Sequence, residues 1–140
     1  MTIYLDSSVL VAALVEDEPA HEPSLKLLRR KDLVAWIHAL AEVFATLTGG
    51  RLGQRVPPSV AAELIDESLL PRLHFLELPA ADMTATIRES ESAGVRGSAI
   101  FDFLHLVAAR RASAVTLYTL NCRHFIPLAR RGDPKIELPE

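Results

Sequence analysis

The chain has 140 residues, a formal net charge of -3, 49% hydrophobic residues and a mean hydropathy of +0.20. This length suits a single domain, residues 1–140, and no uncharged run reaches the roughly 18 to 20 residues of a membrane helix. The acidic balance argues against binding of nucleic acid through a broadly basic surface, so any such binding must be local or mediated by a metal ion.

The ends of the chain and its cysteine content predict the compartment. Cys122 is the single cysteine, so the chain has no internal disulfide, which suits a reducing environment. No basic region precedes the first apolar run, and an acid stands at position 6, which argues against a signal peptide. We therefore expect a cytoplasmic protein.

Strands and helices alternate along the sequence. Residues 3–5 have the β-branched and aromatic types of a buried strand, and residues 9–14 predict a helix that packs on it. Further strands are predicted at 33–37, 73–78, 115–118 and, more briefly, 136–138. Helices are predicted from about Ser24 to Leu28, and at 39–48, 58–70, 80–93 and 98–109. In the helix at 80–93, Met83 and Ile87 are expected to face inward. This order favours an α/β fold with a central, mainly parallel sheet of four to five strands covered by helices on both faces.

Asp6 interrupts the first apolar run at the carboxyl end of the first strand. In open α/β sheets ligands bind at that edge. Asp6 has a simpler interpretation as the N-cap of the following helix, with Ser7 and Ser8 as alternative caps. An unpaired buried carboxylate is costly, so the sequence also predicts a cationic partner for Asp6.

Two further acids stand among apolar residues. Glu42 lies in the helix at 39–48, where it either belongs to a functional site or pairs with Arg51 or another base. Asp102 lies near the start of a helix that is apolar on nearly all sides, which indicates a buried helix. His105, one turn later, is interpreted as a hydrogen-bonded structural histidine or, less simply, as a metal ligand. Asn121 follows the strand at 115–118 and can hold a water or a phosphate oxygen.

The three acids are far apart in sequence, and only a fold that winds back on itself brings them together. Three carboxylates in one pocket repel each other, and a hard divalent cation such as Mg²⁺ or Mn²⁺ relieves that repulsion. Such an ion can orient a water against a phosphodiester and neutralise the developing charge.

Four motifs, taken together, closely resemble the PIN-domain family and, within it, the VapC-type toxins of bacterial toxin–antitoxin pairs. They are Ile-Tyr-Leu-Asp-Ser-Ser at residues 3–8, Ala-Glu-Val at 41–43, Gly-Ser-Ala-Ile-Phe-Asp at 97–102 and Leu-Tyr-Thr-Leu-Asn-Cys-Arg-His-Phe at 117–125. The resemblance covers essentially the whole chain. It implies a three-layer PIN fold and a Mg²⁺- or Mn²⁺-dependent endoribonuclease.

By this resemblance Asp6, Glu42 and Asp102 are metal ligands, directly or through water. Asn121 occupies a position that is often a fourth acid, so one well-occupied ion is expected, with Asn121 and Thr119 positioning a water or the first acid. Ser7 is a further supporting residue.

The resemblance also implies partners. It implies a homodimer, and a small VapB-like antitoxin that covers the active-site groove and often places a basic side chain among the acids. Candidate contacts to RNA phosphates are Arg51, Arg96 and Arg123, each of which has a solvated surface role as its simpler interpretation.

Other interpretations have less support. Haloacid-dehalogenase-like phosphatases require a second Asp where this chain has Ser8, and receiver domains require a pair of acids before the strand end. The sequence lacks the motifs of P-loop NTPases, serine hydrolases, zinc enzymes and Rossmann dehydrogenases. The remaining alternative is a catalytically inactive PIN-like binding or regulatory module.

Overall fold

The computed structural model of the protein describes residues 1–50, 52–53 and 55–140. Strands and helices alternate through these residues, as the sequence predicts. In chain order they are β1 (Ile3–Leu5), α1 (Ser7–Leu14), α2 (His21–Leu28), β2 (Leu33–Trp36), α3 (His38–Thr48), α4 (Pro58–Leu64), β3 (His74–Leu76), α5 (Ala80–Ala93), α6 (Ala99–Arg111), β4 (Thr116–Tyr118), α7 (Cys122–Phe125) and β5 (Lys135–Glu137). A π-helical turn at Ile65–Leu69 extends α4, and a 3₁₀ turn at Ile126–Leu128 follows α7.

The five strands form one parallel sheet in the order β3-β2-β1-β4-β5. The chain moves outward from β1 to β3, then returns to the other side of β1 to add β4 and β5. The direction of winding therefore reverses between β1 and β4, which is the position where open α/β sheets form their ligand crevice. The predicted α/β fold with a central parallel sheet is confirmed.

Helices cover both faces of the sheet because side chains alternate along each strand. Ile3 and Leu5 pack into one core, which α1 to α4 complete with residues such as Leu10, Leu28, Val43 and Ala61. Tyr4 points into the second core, with Leu106 of α6 and Phe125 of α7. None of the helices in the described part of the chain is long and apolar enough to cross a lipid bilayer.

Two details differ from the sequence-based expectations. Helix α2 begins at His21 rather than near Ser24, because Pro23 lies in the first turn, where its missing N–H has no helical partner to lose. The prediction that Ile87 faces inward is wrong, since Ile87 is 55% exposed and Thr86 is buried instead. The Thr86 hydroxyl donates to the carbonyl of Asp82, which satisfies it inside the fold.

An ion pair joins α6 to the segment that leads into β5. Arg110 donates from Nε to Asp133 Oδ1 at 2.7 Å and from Nη2 to Oδ2 at 2.8 Å, and Asp133 also accepts from the Arg130 backbone amide. Burial opposes the charge of Asp133, but the hydrogen bonds from Arg110 and Arg130 outweigh it and lower the pKa of the carboxyl group. This contact therefore stabilises the outer edge of the sheet.

We expect Asp133→Asn to lower the free energy of unfolding by about 2 kcal/mol at pH 7, the order of a charged hydrogen bond. Because the folded-state pKa of Asp133 lies below its ordinary value of 3.8, this stabilisation is complete above that value. It disappears as the pH falls through the lowered pKa. Urea unfolding of both proteins from pH 7 downward measures the difference.

Asp82→Asn is the matched control, because Asp82 pairs with Arg111 at 2.8 Å on an exposed surface. This substitution is expected to cost less than about 1 kcal/mol. Equal losses in the two variants would contradict the structural role of the Arg110–Asp133 pair.

Candidate active site at the carboxyl edge of the sheet

Asp6 is fixed by the pairing of β1 with β4. Leu5 lies opposite Tyr118 in the sheet, so the next residues, Asp6 and Thr119, are neighbours, and the Asp6 amide donates to the Tyr118 carbonyl at 3.2 Å. The Asp6 carboxyl group accepts from Thr119 Oγ1 at 2.6 Å, Ser8 Oγ at 2.5 Å and the Val9 amide at 3.2 Å. Asp6 is therefore the N-cap of α1 and, in the same geometry, a buried acid at the crevice.

Asp6 is a buried acid that, in the described part of the chain, is not paired with a lysine or an arginine. Asp6 is 2% exposed, and among the described residues it forms no salt bridge with Lys or Arg. Two hydroxyl groups and a backbone amide hold its carboxyl oxygens. Burial raises the pKa of Asp6, and the electrostatic influence of His105, followed by the hydrogen bonds from Ser8, Thr119 and Val9, offsets part of that rise.

Glu42 is held by two histidines and a serine. Its Oε1 lies 2.7 Å from His105 Nε2 and 3.2 Å from His38 Nδ1, and its Oε2 accepts from Ser7 Oγ at 3.2 Å. Burial opposes the charged form, but the hydrogen bonds and electrostatic influence of His105 and, next, of His38 prevail and lower the pKa of Glu42. The base that pairs with Glu42 is thus histidine; Arg51, the base that the sequence suggested, lies outside the described residues.

The histidines that hold Glu42 are themselves fixed by aromatic side chains. The His38 ring stacks on Trp36 with centroids 4.5 Å apart and on Phe101 with centroids 5.2 Å apart. His105 is 1% exposed and shares a 2.6 Å hydrogen bond with the Tyr4 hydroxyl. The interpretation of His105 as a hydrogen-bonded histidine agrees with these contacts.

Asp102 lies in the first turn of α6 and is half-buried. Burial raises the pKa of its carboxyl group, and the negative charge of Asp6 raises it further. His124 Nδ1, 3.3 Å from Asp102 Oδ2, acts in the opposite direction. The negative charge of Asp6 therefore makes ionisation of Asp102 less favourable.

A cleft of about 530 Å³ opens between these groups. Its lining brings together side chains from α1, from the residues that follow β4, and from α3, α6 and α7, among them Ser7, Glu42, Phe101, Asp102, Asn121 and His124. The Asn121 backbone amide donates to Thr119 Oγ1 at 2.9 Å, which ties this loop to the hydroxyl that also binds Asp6. Arg96 and Arg123 are exposed beside Ser98 and His124 of the lining.

The donor chemistry of the cleft fits a hard divalent cation. Carboxylates offer about four lone-pair positions each, and Asp6 and Glu42 each use three of them for protein hydrogen bonds. Among the described residues, the one ion-pair partner of Asp102 is His124. Oxygen donors of this kind suit Mg²⁺, which keeps several waters and needs few protein ligands. In the present side-chain arrangement, no three His, Cys, Asp or Glu groups of the described residues converge closely enough to hold a metal ion.

Sequence reasoning missed two residues of this site, His38 and His124. His38 precedes Glu42 by four residues, a spacing that places both side chains on one face of a helix, so this signal was present in the sequence. His124 reaches Asp102 from another helix, and no local pattern predicts that contact.

The model of the PIN domain family matches residues 3–127, and the chain therefore belongs to the PIN domain family. VapC20 of Mycobacterium tuberculosis, a sarcin–ricin loop cleaving toxin, has a similar structure, with a TM-score of 0.65 and 19% identity over 83% of this chain and 87% of that one. VapBC2 of Rickettsia felis, bound to a promoter DNA fragment, has a TM-score of 0.67 and 21% sequence identity over 100% of both chains. FitAcB of Neisseria gonorrhoeae has a TM-score of 0.63 and 19% sequence identity over 96% of both chains. Among functionally curated proteins, no sequence matches the chain.

Replacement of Thr119 by Val tests the support of Asp6. The variant keeps the side-chain shape but leaves one Asp6 oxygen and the Asn121 amide without the hydroxyl, so we expect a loss of about 1 to 3 kcal/mol in the free energy of unfolding at pH 7. Chemical unfolding gives the value. Thr84→Val is the control, since the exposed Thr84 hydroxyl bonds two carbonyls of its own helix, those of Ala80 and Ala81. Similar losses of stability in Thr119→Val and Thr84→Val would refute the role of the Thr119 hydroxyl in holding Asp6.

Proposed function

We propose that the protein is a Mg²⁺- or Mn²⁺-dependent endoribonuclease and the toxin of a VapC-like toxin–antitoxin pair. The observation that carries the proposal is that Glu42 and Asp102 line one cleft, while the charge of the buried Asp6, whose neighbours Ser7 and Ser8 also line it, acts on Asp102. Among the described residues, no Lys or Arg pairs with Asp6. Membership of the PIN domain family and the fold shared with VapC20 and VapBC2 support the same function.

Asp6, Glu42 and Asp102 are the proposed ligands of the ion, directly or through water. When bound, a divalent cation supplies a water nucleophile of lowered pKa and neutralises charge on the phosphate. The chain contributes the orientation of its own acids. Thr119 and Ser8 hold the Asp6 carboxyl group, and Ser7 and the histidines hold Glu42. The Asn121 carboxamide lines the cleft and is proposed to hold a water or a phosphate oxygen.

The proposed substrate is RNA, bound locally rather than by a basic surface. With a net charge of -3, the chain has little general attraction for phosphate. Arg96 and Arg123 stand exposed next to residues of the cleft and are proposed to contact RNA phosphates, as is Arg51 from its sequence position.

The proposed partners are a second copy of the chain and an antitoxin. VapBC2 and FitAcB are names of two-component complexes, which supports an antitoxin partner for this chain. A basic antitoxin side chain among the three acids would neutralise the same charges as the ion. Inhibition by the antitoxin and binding of Mn²⁺ should then compete.

Cleavage of RNA tests the activity. We expect the purified protein to cut a mixed pool of structured and unstructured RNAs with Mg²⁺ or Mn²⁺ and to stop when EDTA is added. Asp6→Asn and Asp102→Asn should each lower the rate by at least about 100-fold, the order for losing one electrostatic stabiliser of the transition state. Asp6→Asn should remain folded, because burial disfavours the charge that it removes. Gel analysis of end-labelled RNA provides the rates.

Asp66→Asn is the control, because Asp66 is an exposed acid on the π-helical turn away from the cleft lining. It should cut like the wild type. Calorimetric titration with Mn²⁺ separates the remaining outcomes. Ion binding without cleavage would indicate a narrow RNA substrate outside the pool, and absence of both would favour the inactive binding module and overturn the proposal.

Light scattering tests the proposed homodimer. The expected mass of the purified chain is twice its 15.4 kDa. A monomer across micromolar concentrations would contradict this part of the proposal and leave the nuclease activity to its own test.

A further inference from the structure

Three aromatic rings stack in a line that runs from the core of the protein to the cleft. The Trp36 ring, 4% exposed, stacks on His38 with centroids 4.5 Å apart and ring planes 22° apart. His38 stacks in turn on Phe101, with centroids 5.2 Å apart and planes 9° apart. Phe101 is 40% exposed and belongs to the lining of the cleft. The line of rings therefore begins at a buried tryptophan and ends at a phenylalanine that solvent reaches.

The position of the outer ring is fixed by the rings beneath it. Trp36 lies in β2 and also meets the His105 ring edge to face, with centroids 5.3 Å apart. His38 begins α3, and its Nδ1 lies 3.2 Å from Glu42 Oε1. A planar ligand that stacks on Phe101 therefore meets a surface that is already ordered, which lowers the entropy cost of binding.

Phe101 also stands beside the acids of the candidate active site. It directly precedes Asp102 in α6, and both residues line the cleft together with Glu42. Phe101 is the one phenylalanine, tyrosine or tryptophan that the described residues contribute to this lining, which is otherwise mostly polar. One aromatic ring next to proposed ligands of a divalent cation suits a ligand that carries both a planar ring and a phosphate.

We propose that Phe101 is a stacking platform for one unpaired base of the RNA, next to the bond that is cut. This inference rests on the proposed function, because it takes RNA as the substrate and Asp102 as a ligand of the ion. Since Phe101 and Asp102 are consecutive, a base on the ring brings its own phosphate, or the next one, towards the acids. Stacking requires a base that is not paired within a helix, and every base has a face that can stack. Phe101 therefore selects single-stranded segments of RNA with little preference for the base.

A nucleobase fits this position better than an apolar side chain of a protein. The three rings lie nearly parallel, and a further planar ring extends such a stack. The surroundings of Phe101 are polar, and the exposed Arg96 and Arg123 stand next to residues of the cleft, where they can meet phosphates.

Cleavage kinetics with matched variants test the platform. Phe101→Leu removes the aromatic face but keeps an apolar side chain, and it should lower kcat/KM by about 5- to 100-fold for a single-stranded RNA that the wild type cuts. Phe101→Tyr keeps the ring and should lose much less. Phe44→Leu is the control, because Phe44 is 39% exposed, like Phe101, but lies outside the lining of the cleft. Circular dichroism checks that each variant is folded.

RNA that lacks one base locates the contact. In a series of substrates with an abasic ribose at one position near the cleaved bond, we expect one that the wild type cuts about 5- to 100-fold more slowly. Phe101→Leu should cut that substrate about as fast as it cuts the intact RNA, because both changes remove the same contact. Losses that multiply independently at every position would overturn the inference. If Phe101→Leu does not fold, Phe101→Met, which also lacks an aromatic ring, takes its place.

Affinity for RNA separates this inference from the proposed function. Fluorescence anisotropy measures the binding of dye-labelled, single-stranded RNA octamers of random sequence in the Asp6→Asn background, where cleavage is slow. Addition of Phe101→Leu should weaken this binding by about 5- to 100-fold and have little effect on a fully paired RNA duplex. Unchanged binding and cleavage would overturn the platform and indicate that Phe101 contacts a protein partner instead. If the chain neither binds nor cuts RNA, the proposed function is overturned, and the platform with it.

Discussion

The parallel pairing of β1 with β4 is the constraint on which the site depends. Each strand has three residues, and their register places Asp6 next to Thr119 just beyond the sheet. A slip by one residue would reverse the faces of the strand, move Tyr4 out of its core and separate the acid from its hydroxyl donor. Strands this short have few hydrogen bonds of their own, so the helices packed on both faces maintain the register.

The sequence predicted those parts of the fold and site that follow from local patterns. The apolar strands and the position of Asp6 after β1 were visible, because a charged residue at the end of a buried strand breaks a short-range pattern. Local sequence patterns do not predict which side chains of different helices come into contact. His105 reaches Glu42 from 63 residues away, a contact that depends on how α6 and α3 lie against the sheet. Ile87 was misplaced because α5 buries Thr86, whose hydroxyl is satisfied within its own helix.

The three acids keep their places by different physical means. Hydroxyl and amide donors hold Asp6, imidazole rings hold Glu42, and His124 stands beside Asp102 in a more open position. Burial makes the charge of Asp6 costly, whereas the hydrogen bonds to Glu42 favour its charge. Burying these acids lowers the stability of the fold, and the two apolar cores offset that loss. Functional sites commonly reduce the stability of the proteins that contain them. The assignment of these acids as metal ligands stays a prediction.

The contact between Trp36 and His38 has a practical consequence. Trp36 is the single tryptophan of the chain, it is 4% exposed, and its ring lies against an imidazole that also touches Glu42. The indole emission of the unlabelled protein therefore comes from one known place beside the cleft. A change in the stacking of His38 on the indole would therefore alter the surroundings of the one tryptophan fluorophore of the chain.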